Sequence, residues 1–369
     1  MRRLRRCLIA CTLSVALLAV ALLAAAPVGA ADAAGPATAA PASAAVVSLP
    51  KDEGPHPSSS MEWWYFTGHL TGTDPAGKVH QYGFELTFIR TNSLGLEPLA
   101  AAYDGQFAIT DLTRGTFTSN MLAISVQPDN VLPQGGFNNT VDGWNMNGIN
   151  GDNHVSAAFA DGSYAISLNL DQSTPAALHG NGGLIPYAPF GTSYYYSETN
   201  LKASGTLIDH GVPISVTGIA WQDHQWGDFA GTGGWTWFSL QLSNGTQYML
   251  YFLHNAAGAI AAEVGTEVNA NGSTVSIDPA DMSQTPLSTW TSPNTKITYP
   301  QNWTVTVPGG QLTVTALEAN QELYVPFVDT GYWEGDSSVT GTIGGAAVTG
   351  QAYVEITPTY TLPISIGDA

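Results

Sequence analysis

Basic side chains are scarce in this chain, which has 10 Lys and Arg against 29 Asp and Glu and a formal net charge of −19. Nucleic-acid binding is therefore excluded as a function class, because neutralising phosphates needs clustered cations. Docking on an anionic membrane surface is disfavoured for the same reason. Charged residues make up only 11% of the chain, whereas 44% are hydrophobic and 10% aromatic, so we expect folded cores rather than disorder.

Cysteine is nearly absent, and both copies lie in a segment with the features of a secretory signal peptide. Four arginines in the first six residues precede an apolar run from Cys7 to Ala26, and small residues end at Ala30. This pattern predicts export with cleavage near Ala30, although the run also approaches the length of a membrane anchor. Cleavage would leave a secreted or extracytoplasmic protein with no cysteine and a formal charge of −23.

Long capped helices are also missing beyond this segment, where the pattern is that of an all-β protein. Residues 31–48 are rich in Ala and Pro and predict a linker. Short alternating apolar stretches then end at turn residues, as at Asp161-Gly162 and Asn244-Gly245. Many such strands are typical of sandwiches or barrels. The length exceeds one ordinary barrel, so we expect two antiparallel β domains in tandem, covering 49–229 and 230–369.

The densest unusual cluster is the run from Trp221 to Asp228, which contains Asp223, His224 and Trp226. An Asp-His pair beside tryptophan is suited to general acid–base chemistry, because an apolar wall shifts the pKa values of both groups. The alternative is a strand-end aspartate that caps a turn while His and Trp fill the seam between domains. Trp235 and Trp237 follow closely and add aromatic faces to the same region.

A second cluster begins at Glu62 and includes Trp64. A glutamate ahead of two tryptophans can be buried and pair with a cation, and Arg90 at the end of the next strand is the candidate. The alternative for Arg90 is a buried ion pair that fixes strand register. The histidines show no His-Glu-x-x-His or close ligand spacing, so we expect neither a metal nor a cofactor.

The order of motifs resembles the hydroxyneurosporene synthase (carotenoid 1,2-hydratase) and AttH-like family over residues 55–360. The motifs that carry the resemblance are Glu62–Tyr65, Gly68–Leu70, Tyr82–Arg90, His179-Gly180, Tyr195–Ser197, Asp223–Trp226, Gly234–Phe238, Tyr332–Gly335 and Gly350–Glu355. The resemblance implies two lipocalin-like β-barrel domains with a ligand cleft in or between them. Members include hydratases of prenyl double bonds and enzymes that assist Diels–Alder cyclisations.

The family's hydratases protonate an alkene with an aspartate and add water to the resulting cation. By resemblance, their site maps to His224, Trp226, Tyr251 and Leu253. Leucine cannot donate a proton, so Asp223 or another acid would have to replace the aspartate. The indole faces of the tryptophan cluster remain suited to stabilising a carbocation.

Three functions follow as hypotheses. The first is an exported lyase or isomerase acting on an apolar isoprenoid- or polyene-like molecule, with Asp223 and His224 transferring protons and Tyr251 donating a hydrogen bond. Trp226, Trp235, Trp237, Trp64, Arg90 and Glu62 are its candidate ligand-binding residues. The second is a non-catalytic carrier of an apolar lipid or pigment, and the third is a secreted hydrolase.

Overall fold

The computed structural model describes residues 46–92, 99–188, 190–229, 233–326 and 330–358. The predicted signal peptide and nearly all of the predicted linker lie outside these residues. The described part is almost entirely antiparallel β structure, with two short 3₁₀ turns at Lys51–Glu53 and Pro279–Asp281. No helix in the described part is long and apolar enough to cross a membrane.

The first sheet has twelve strands. They are β1 (Met61–Thr73), β2 (Val79–Thr91), β3 (Ala101–Asp111), β4 (Thr116–Gln127), β5 (Phe137–Val141), β6 (Trp144–Ile149), β7 (Asp152–Ala158), β8 (Tyr164–Gln172), β9 (Ala177–Leu178), β10 (Leu184–Pro186), β11 (Gly191–Asp209) and β12 (Val212–Phe229). The order across the sheet is β4-β3-β2-β1-β12-β11-β8-β7-β6-β5, and β9 and β10 pair with β11. The sheet curls until its edges meet, where the Gln127 amide donates to the Thr140 carbonyl at 2.9 Å.

The second sheet has ten strands. They are β13 (Gly234–Leu242), β14 (Gln247–His254), β15 (Ile260–Val268), β16 (Thr274–Ile277), β17 (Ser283–Thr291), β18 (Thr298–Val307), β19 (Gly310–Ala316), β20 (Glu322–Val325), β21 (Thr330–Ile343) and β22 (Ala346–Thr357). The order is β16-β15-β14-β13-β22-β21-β19-β18-β17, with β20 beside β21. The prediction of an all-β, lipocalin-like fold with two antiparallel sheets in tandem is confirmed.

Each sheet encloses its own apolar core, and a third apolar cluster lies between them. Phe66, Phe84 and Leu168 belong to the first core, and Phe238 and Trp303 belong to the second. The cluster between the sheets is mostly aromatic and comprises Tyr65, Ile185, Tyr187, Phe190, Tyr195, Trp221, Trp237, Met249, Tyr251, Leu253 and Tyr353. Strands at the centre of both sheets are therefore buried on both faces. Their outward faces form the contact between the sheets.

Candidate functional site

A cavity of about 130 Å³ lies between the two sheets. One buried water molecule needs roughly 10–15 Å³ of cavity volume, so the cavity has room for about ten groups of that size. Its lining residues are Met61, Trp63, Tyr65, Thr87, Ile89, Gln106, Tyr195, Asp223, Gln225, Gly234, Trp235, Trp237, Tyr251, Gly331, Tyr332, Glu355 and Thr357. The lining is predominantly apolar and aromatic, and both sheets contribute to it.

Strand alternation decides which side chains reach the cavity. Successive residues of a strand point to opposite faces of the sheet. On β12, Asp223 and Gln225 therefore face the cavity, whereas His224 lies between them on the opposite face. On β1, Trp63 lines the cavity and Trp64 packs into the first core.

The Asp223 carboxyl lies at the buried floor of the cavity and is held by three neighbours. The Trp221 indole donates to its Oδ1 atom at 2.6 Å, the Ser197 hydroxyl donates to the same atom, and the Tyr195 hydroxyl donates to Oδ2. Burial raises the pKa of Asp223 to about 7, although all three hydrogen bonds oppose the shift. A large fraction of Asp223 therefore carries a proton near neutral pH and can donate it.

A chain of hydrogen bonds continues from Asp223 away from the cavity. His179 Nε2 lies 2.6 Å from the Ser197 hydroxyl, and His179 Nδ1 lies 2.9 Å from the Thr266 hydroxyl on β15. His179 is fully buried, and burial lowers its pKa to about 3, so its imidazole is neutral. On the cavity side, the Trp237 indole donates to the Tyr195 hydroxyl at 3.0 Å.

Aromatic rings form the walls around Asp223. Trp237 stands edge-on to both Tyr65 and Trp221, with centroid separations of 5.3 and 6.1 Å. Trp235 and Tyr251 make a similar edge-to-face pair at 6.0 Å. Rings in this arrangement offer π faces that attract positive charge. The cavity can therefore hold an apolar ligand and stabilise a cation formed on it.

A second carboxyl, Glu355 on β22, faces the same cavity from the other sheet. Burial raises its pKa to about 7, against hydrogen bonds from Trp235 and Thr357. Glu334 lies nearby and accepts a hydrogen bond from the Tyr65 hydroxyl at 2.6 Å. Burial, reinforced by the charge of Glu355, raises the pKa of Glu334 well above its ordinary value. Two sheets thus bring weakly acidic carboxyls to one apolar space.

His224 belongs to a separate cluster on the opposite face of β12. Its Nε2 atom and Nδ1 of His56 lie 2.8 and 2.7 Å from Oε1 of Glu62. The ring of His56 stacks on Trp226, and the ring of His224 stacks on Trp64. These three groups are of the donor types that hold metal ions and lie within 4.8 Å of one another. Because both histidines already share one carboxylate oxygen, we assign the cluster a structural role: it links the segment before β1 to the first sheet. We call His56, Glu62 and His224 the clasp.

Arg90 is buried away from the cavity and pairs with Asp129. Two guanidinium nitrogens donate to the Asp129 carboxylate at 2.7 and 2.6 Å, and a third bond reaches the Ser59 carbonyl. Glu62 is the residue opposite Arg90 in the β1–β2 register, but its carboxylate is held by the two histidines. The arginine therefore fixes the chain before β1 and the loop that contains Asp129.

The structure brings four of the sequence-predicted site residues to the cavity: Asp223, Tyr251, Trp235 and Trp237. It places the other five on the far side of β1, β2 and β12: His224, Trp226, Trp64, Glu62 and Arg90. Asp223 and His224 therefore do not form a pair, because adjacent strand residues diverge. Leu253 packs in the cluster between the sheets, beside the cavity.

Sequence reasoning did not select several residues that shape the cavity. Tyr195 and Ser197 contact Asp223, Glu355 supplies a second acid, and Trp63 lines the wall in place of Trp64. The period of two that every strand imposes on its side chains would have separated Trp63 from Trp64 once β1 was assigned as a strand. No local signal placed Glu355 near Asp223, since the two are joined only by the docking of the sheets.

Residues 40–359 match the family model described as AttH-like. A putative AttH from Nitrosomonas europaea has a similar structure, with a TM-score of 0.72 and 27% identity over 87% of this chain and 100% of that one. Kievitone hydratase from Nectria haematococca is similar in fold, with a TM-score of 0.67 and 18% identity over 85% of this chain and 93% of that one. The sequence matches none of the curated proteins.

Proposed function

Because the chain belongs to the AttH-like family, we propose that it binds an apolar isoprenoid- or polyene-like small molecule between its two sheets and transfers a proton to it. Membership of the hydroxyneurosporene synthase branch is part of this proposal. The observation that carries it is the Asp223 carboxyl, buried at the floor of an aromatic cavity with a pKa near 7. The fold is shared with a hydratase, which agrees with the proposal.

The proposed reaction begins with transfer of the Asp223 proton to one carbon of a ligand double bond. The electrons of the π bond form the new C–H bond, and the other carbon becomes a tertiary cation facing Trp237 and Tyr65. Cation–π attraction and exclusion of water stabilise this cation. Asp223 is left as a carboxylate, held by its three hydrogen-bond donors.

The cation can then react in two ways that both restore the acid. In hydration, a water oxygen bonds to the cationic carbon and its proton passes to Asp223. In isomerisation, a neighbouring carbon loses a proton to Asp223 and a new double bond forms. Glu355 is placed to accept a proton from the opposite wall. General acid–base catalysis of this kind typically contributes about 10²–10⁴-fold to the rate.

A non-catalytic carrier is the second candidate, and Leu253 favours it. This residue extends the apolar surface at the position where the resemblance implies an acid, and it is fully buried. An apolar cavity lined by aromatic rings can retain a ligand without any chemical change.

Incubation with geraniol in D₂O distinguishes the two functions. Binding is measured by quenching of tryptophan fluorescence, and proton transfer by deuterium in recovered geraniol or in a hydrated product. Deuterium that disappears in Asp223→Asn but persists in Asp228→Asn, an exposed carboxyl on the same strand, supports the enzyme. Stoichiometric binding without deuterium supports the carrier. Absence of binding contradicts both.

Export is also part of the proposal, and its support is the sequence of residues 1–30 alone. We expect the protein isolated from its own host to begin near Ala31 and to be found outside the cytoplasm. Intact mass and N-terminal sequencing of that protein test this directly. A chain that retains Met1 in the cytoplasm would contradict it.

A further inference from the structure

We propose that His179 is a positioning residue whose change of tautomer lets Asp223 gain or lose a proton while the polar atoms from Asp223 to His179 stay hydrogen-bonded. This inference rests on the proposed function in taking Asp223 as the group that exchanges a proton with the ligand. Its own basis is the buried chain of hydrogen bonds from Trp237 to Thr266.

When Asp223 is ionised, the direction of each bond in the chain is fixed. Trp221, Ser197 and Tyr195 all donate to the carboxylate. The single hydroxyl proton of Ser197 is thus used, so Ser197 must accept from Nε2–H of His179. His179 is neutral, which leaves Nδ1 without a proton, and it accepts from the Thr266 hydroxyl.

When Asp223 takes up a proton, it becomes a donor and one of its three neighbours must turn. Trp221 cannot, because an indole nitrogen is a donor only. Tyr195 can rotate its hydroxyl, but its oxygen already accepts from Trp237. The Tyr195 proton would then turn towards the cavity, whose lining is predominantly apolar and aromatic. A buried polar group without a partner is unfavourable.

Reversal through Ser197 keeps every polar atom from Asp223 to His179 paired, and the Thr266 hydroxyl proton turns away from Nδ1. Asp223 donates to Ser197, and the Ser197 hydroxyl donates to Nε2 of His179. His179 then holds a proton on Nδ1 and donates to the Thr266 oxygen. In this change Nδ1 takes up the one proton gained from solvent, Nε2 passes its proton to Ser197, and the former Ser197 proton becomes the one on Asp223. Both ends of the imidazole can act in either direction because serine and threonine hydroxyls donate and accept equally well. A neutral imidazole therefore follows the protonation state of Asp223.

The two routes have different roles once a ligand is present. A ligand oxygen or π bond above Tyr195 would give its hydroxyl an acceptor, so that Asp223 can protonate the ligand directly or through Tyr195. In the ligand-free protein, the route through Ser197 and His179 lets Asp223 hold its proton while it stays hydrogen-bonded. Asp223 can then alternate between acid and base, as both hydration and isomerisation require.

Other titratable groups surround Asp223 from each element that packs against it, and they affect the pH at which Asp223 titrates. They are Tyr65 on β1, Tyr195 on β11, Tyr187 before β11, Tyr251 on β14, Glu334 on β21 and Glu355 on β22. Tyr195 also packs against the ring of His179, with ring centroids 4.3 Å apart, and Ser197 forms the hydrogen-bonded link between Asp223 and His179.

Nitrogen-15 NMR of the histidine side chains in the ligand-free, full-length protein tests the inference, because the two neutral tautomers differ in the shifts of Nδ1 and Nε2. The titration runs from about pH 5 to 9, around the ordinary range of histidine and the raised range of Asp223. We expect His179 to change from the Nδ1–H form at low pH to the Nε2–H form at high pH. The midpoint should equal that of the Asp223 carboxyl followed by carbon-13 NMR.

Three variants separate the relay from a structural role. In Asp223→Asn, His179 should keep one tautomer at every pH. In Ser197→Ala, the Asp223 carboxyl should still titrate while His179 no longer follows it. Ser193→Ala, on the same face of β11 but bonded to Gln225, should leave the coupling intact.

A wild-type His179 whose shifts stay constant across the Asp223 titration would overturn the inference. So would a His179 that still follows the titration in Ser197→Ala. Neither outcome depends on geraniol, so a failure of ligand binding and a failure of the relay are recognised separately.

Discussion

At the scale of single residues, Asp223 and Glu355 are both acids whose strength is set by burial rather than by a charged partner. Burial raises the pKa of each to about 7, more than two units above ordinary carboxyls. The two side chains reach the cavity from different sheets. A ligand between them would contact one acid on each side.

The first prediction concerns the pH dependence of proton transfer. Because the proposed reaction takes its proton from Asp223, deuterium incorporation should be greatest below pH 7 and should fall as the pH rises through about 7. Asp223→Asn should lower the rate by about 10²–10⁴-fold below pH 7 and should abolish the decline above it. The measurement is the initial rate of deuterium incorporation into geraniol at a series of pH values.

Glu355→Gln is the companion variant for that experiment. It removes the acid on the opposite wall while keeping the shape of the side chain. We expect it to retain the decline above pH 7, since Asp223 remains. Loss of the pH dependence in Glu355→Gln, with Asp223 intact, would instead assign the proton donor to Glu355.

The raised pKa of Asp223 could be predicted from the sequence, whereas its hydrogen-bond partners could not. An aspartate among tryptophans predicts a raised pKa on elementary grounds. The pairing with His224 was suggested by adjacency in the chain, but adjacent residues on a strand face apart. The true neighbours, Tyr195 and Ser197, come from β11 and meet Asp223 because β11 and β12 pair in that register.

At the scale of single elements, the two faces of β1 have different surroundings: one lines the cavity and the other packs in the first core. Trp63 lines the cavity and is half-buried, whereas Trp64 is fully buried in the first core and donates its indole proton to the Glu53 carbonyl at 3.0 Å. Two consecutive tryptophans therefore have different roles.

The second prediction uses this pair. Trp63→Ala should weaken geraniol binding by about tenfold or more, with little change in the free energy of unfolding. Trp64→Ala should lower the free energy of unfolding by about 3–5 kcal/mol, as large-to-small core substitutions do. Fluorescence titration measures the first effect and urea denaturation the second. Equal loss of binding in both variants would contradict the assignment of faces.

The clasp of His56, Glu62 and His224 holds the segment before β1 against the first sheet. Burial acts to raise the pKa of Glu62, but hydrogen bonds and attraction from the two histidines outweigh it and lower the pKa to about 2. The carboxylate is thus ionised throughout the neutral range. His56 is one-fifth exposed, so it can be removed without opening the core.

The third prediction is that His56→Ala loosens this segment alone. We expect a loss of about 1–3 kcal/mol, the usual effect of leaving a buried polar group without a partner. Faster amide hydrogen exchange should be confined to residues 48–62. His154→Ala, whose ring bonds only to Ser167 at the surface, is the control and should exchange like the wild type. Faster exchange in β13–β22 would contradict a local role.

Strand positions were largely predictable, and their pairing was not. Alternation of apolar and polar residues marked β8 (Tyr164–Gln172) and β18 (Thr298–Val307) clearly, because one face of each meets a core. Central strands such as β3 (Ala101–Asp111) are buried on both faces and lose the alternation. Pairing of β1 with β12 joins segments far apart in sequence, and no local pattern encodes that contact.

At the scale of the whole molecule, many buried carboxyls are held in their neutral form. Burial raises the pKa values of Glu53, Asp104, Asp223 and Glu355 to about 7 and that of Glu198 to about 8. A carboxyl whose pKa is higher in the folded state than in the unfolded state stabilises the folded state. This contribution is complete at pH values below the unfolded-state pKa. That contribution is lost as the pH rises through the folded value.

The fourth prediction is a fall in stability from about pH 6.5 to 8.5, on the order of a few kcal/mol, from this linkage. Neutral buried histidines such as His179 act in the other direction, but only below their unfolded pKa of about 6.5. Glu62, with its lowered pKa, contributes a constant amount across this window. Urea denaturation at several pH values measures the slope.

Glu198→Gln is the matched variant for this prediction. Its carboxylate accepts a hydrogen bond from the Asn153 amide at 2.6 Å, and a glutamine can keep that contact. The variant should show a smaller decline with pH than the wild type. A stability that rises over this range, or a Glu198→Gln slope equal to that of the wild type, would contradict the linkage.

The hydrogen-bonded chain through Asp223 has a consequence for the order of folding. Trp237 and Thr266 belong to the second sheet, and the other members of the chain belong to the first. A first sheet that folds alone would leave Asp223 facing water, ionised at neutral pH. Docking of the second sheet would then coincide with proton uptake. Refolding in a weakly buffered solution with a pH indicator should show that uptake in a late phase, and the uptake should be smaller in Asp223→Asn.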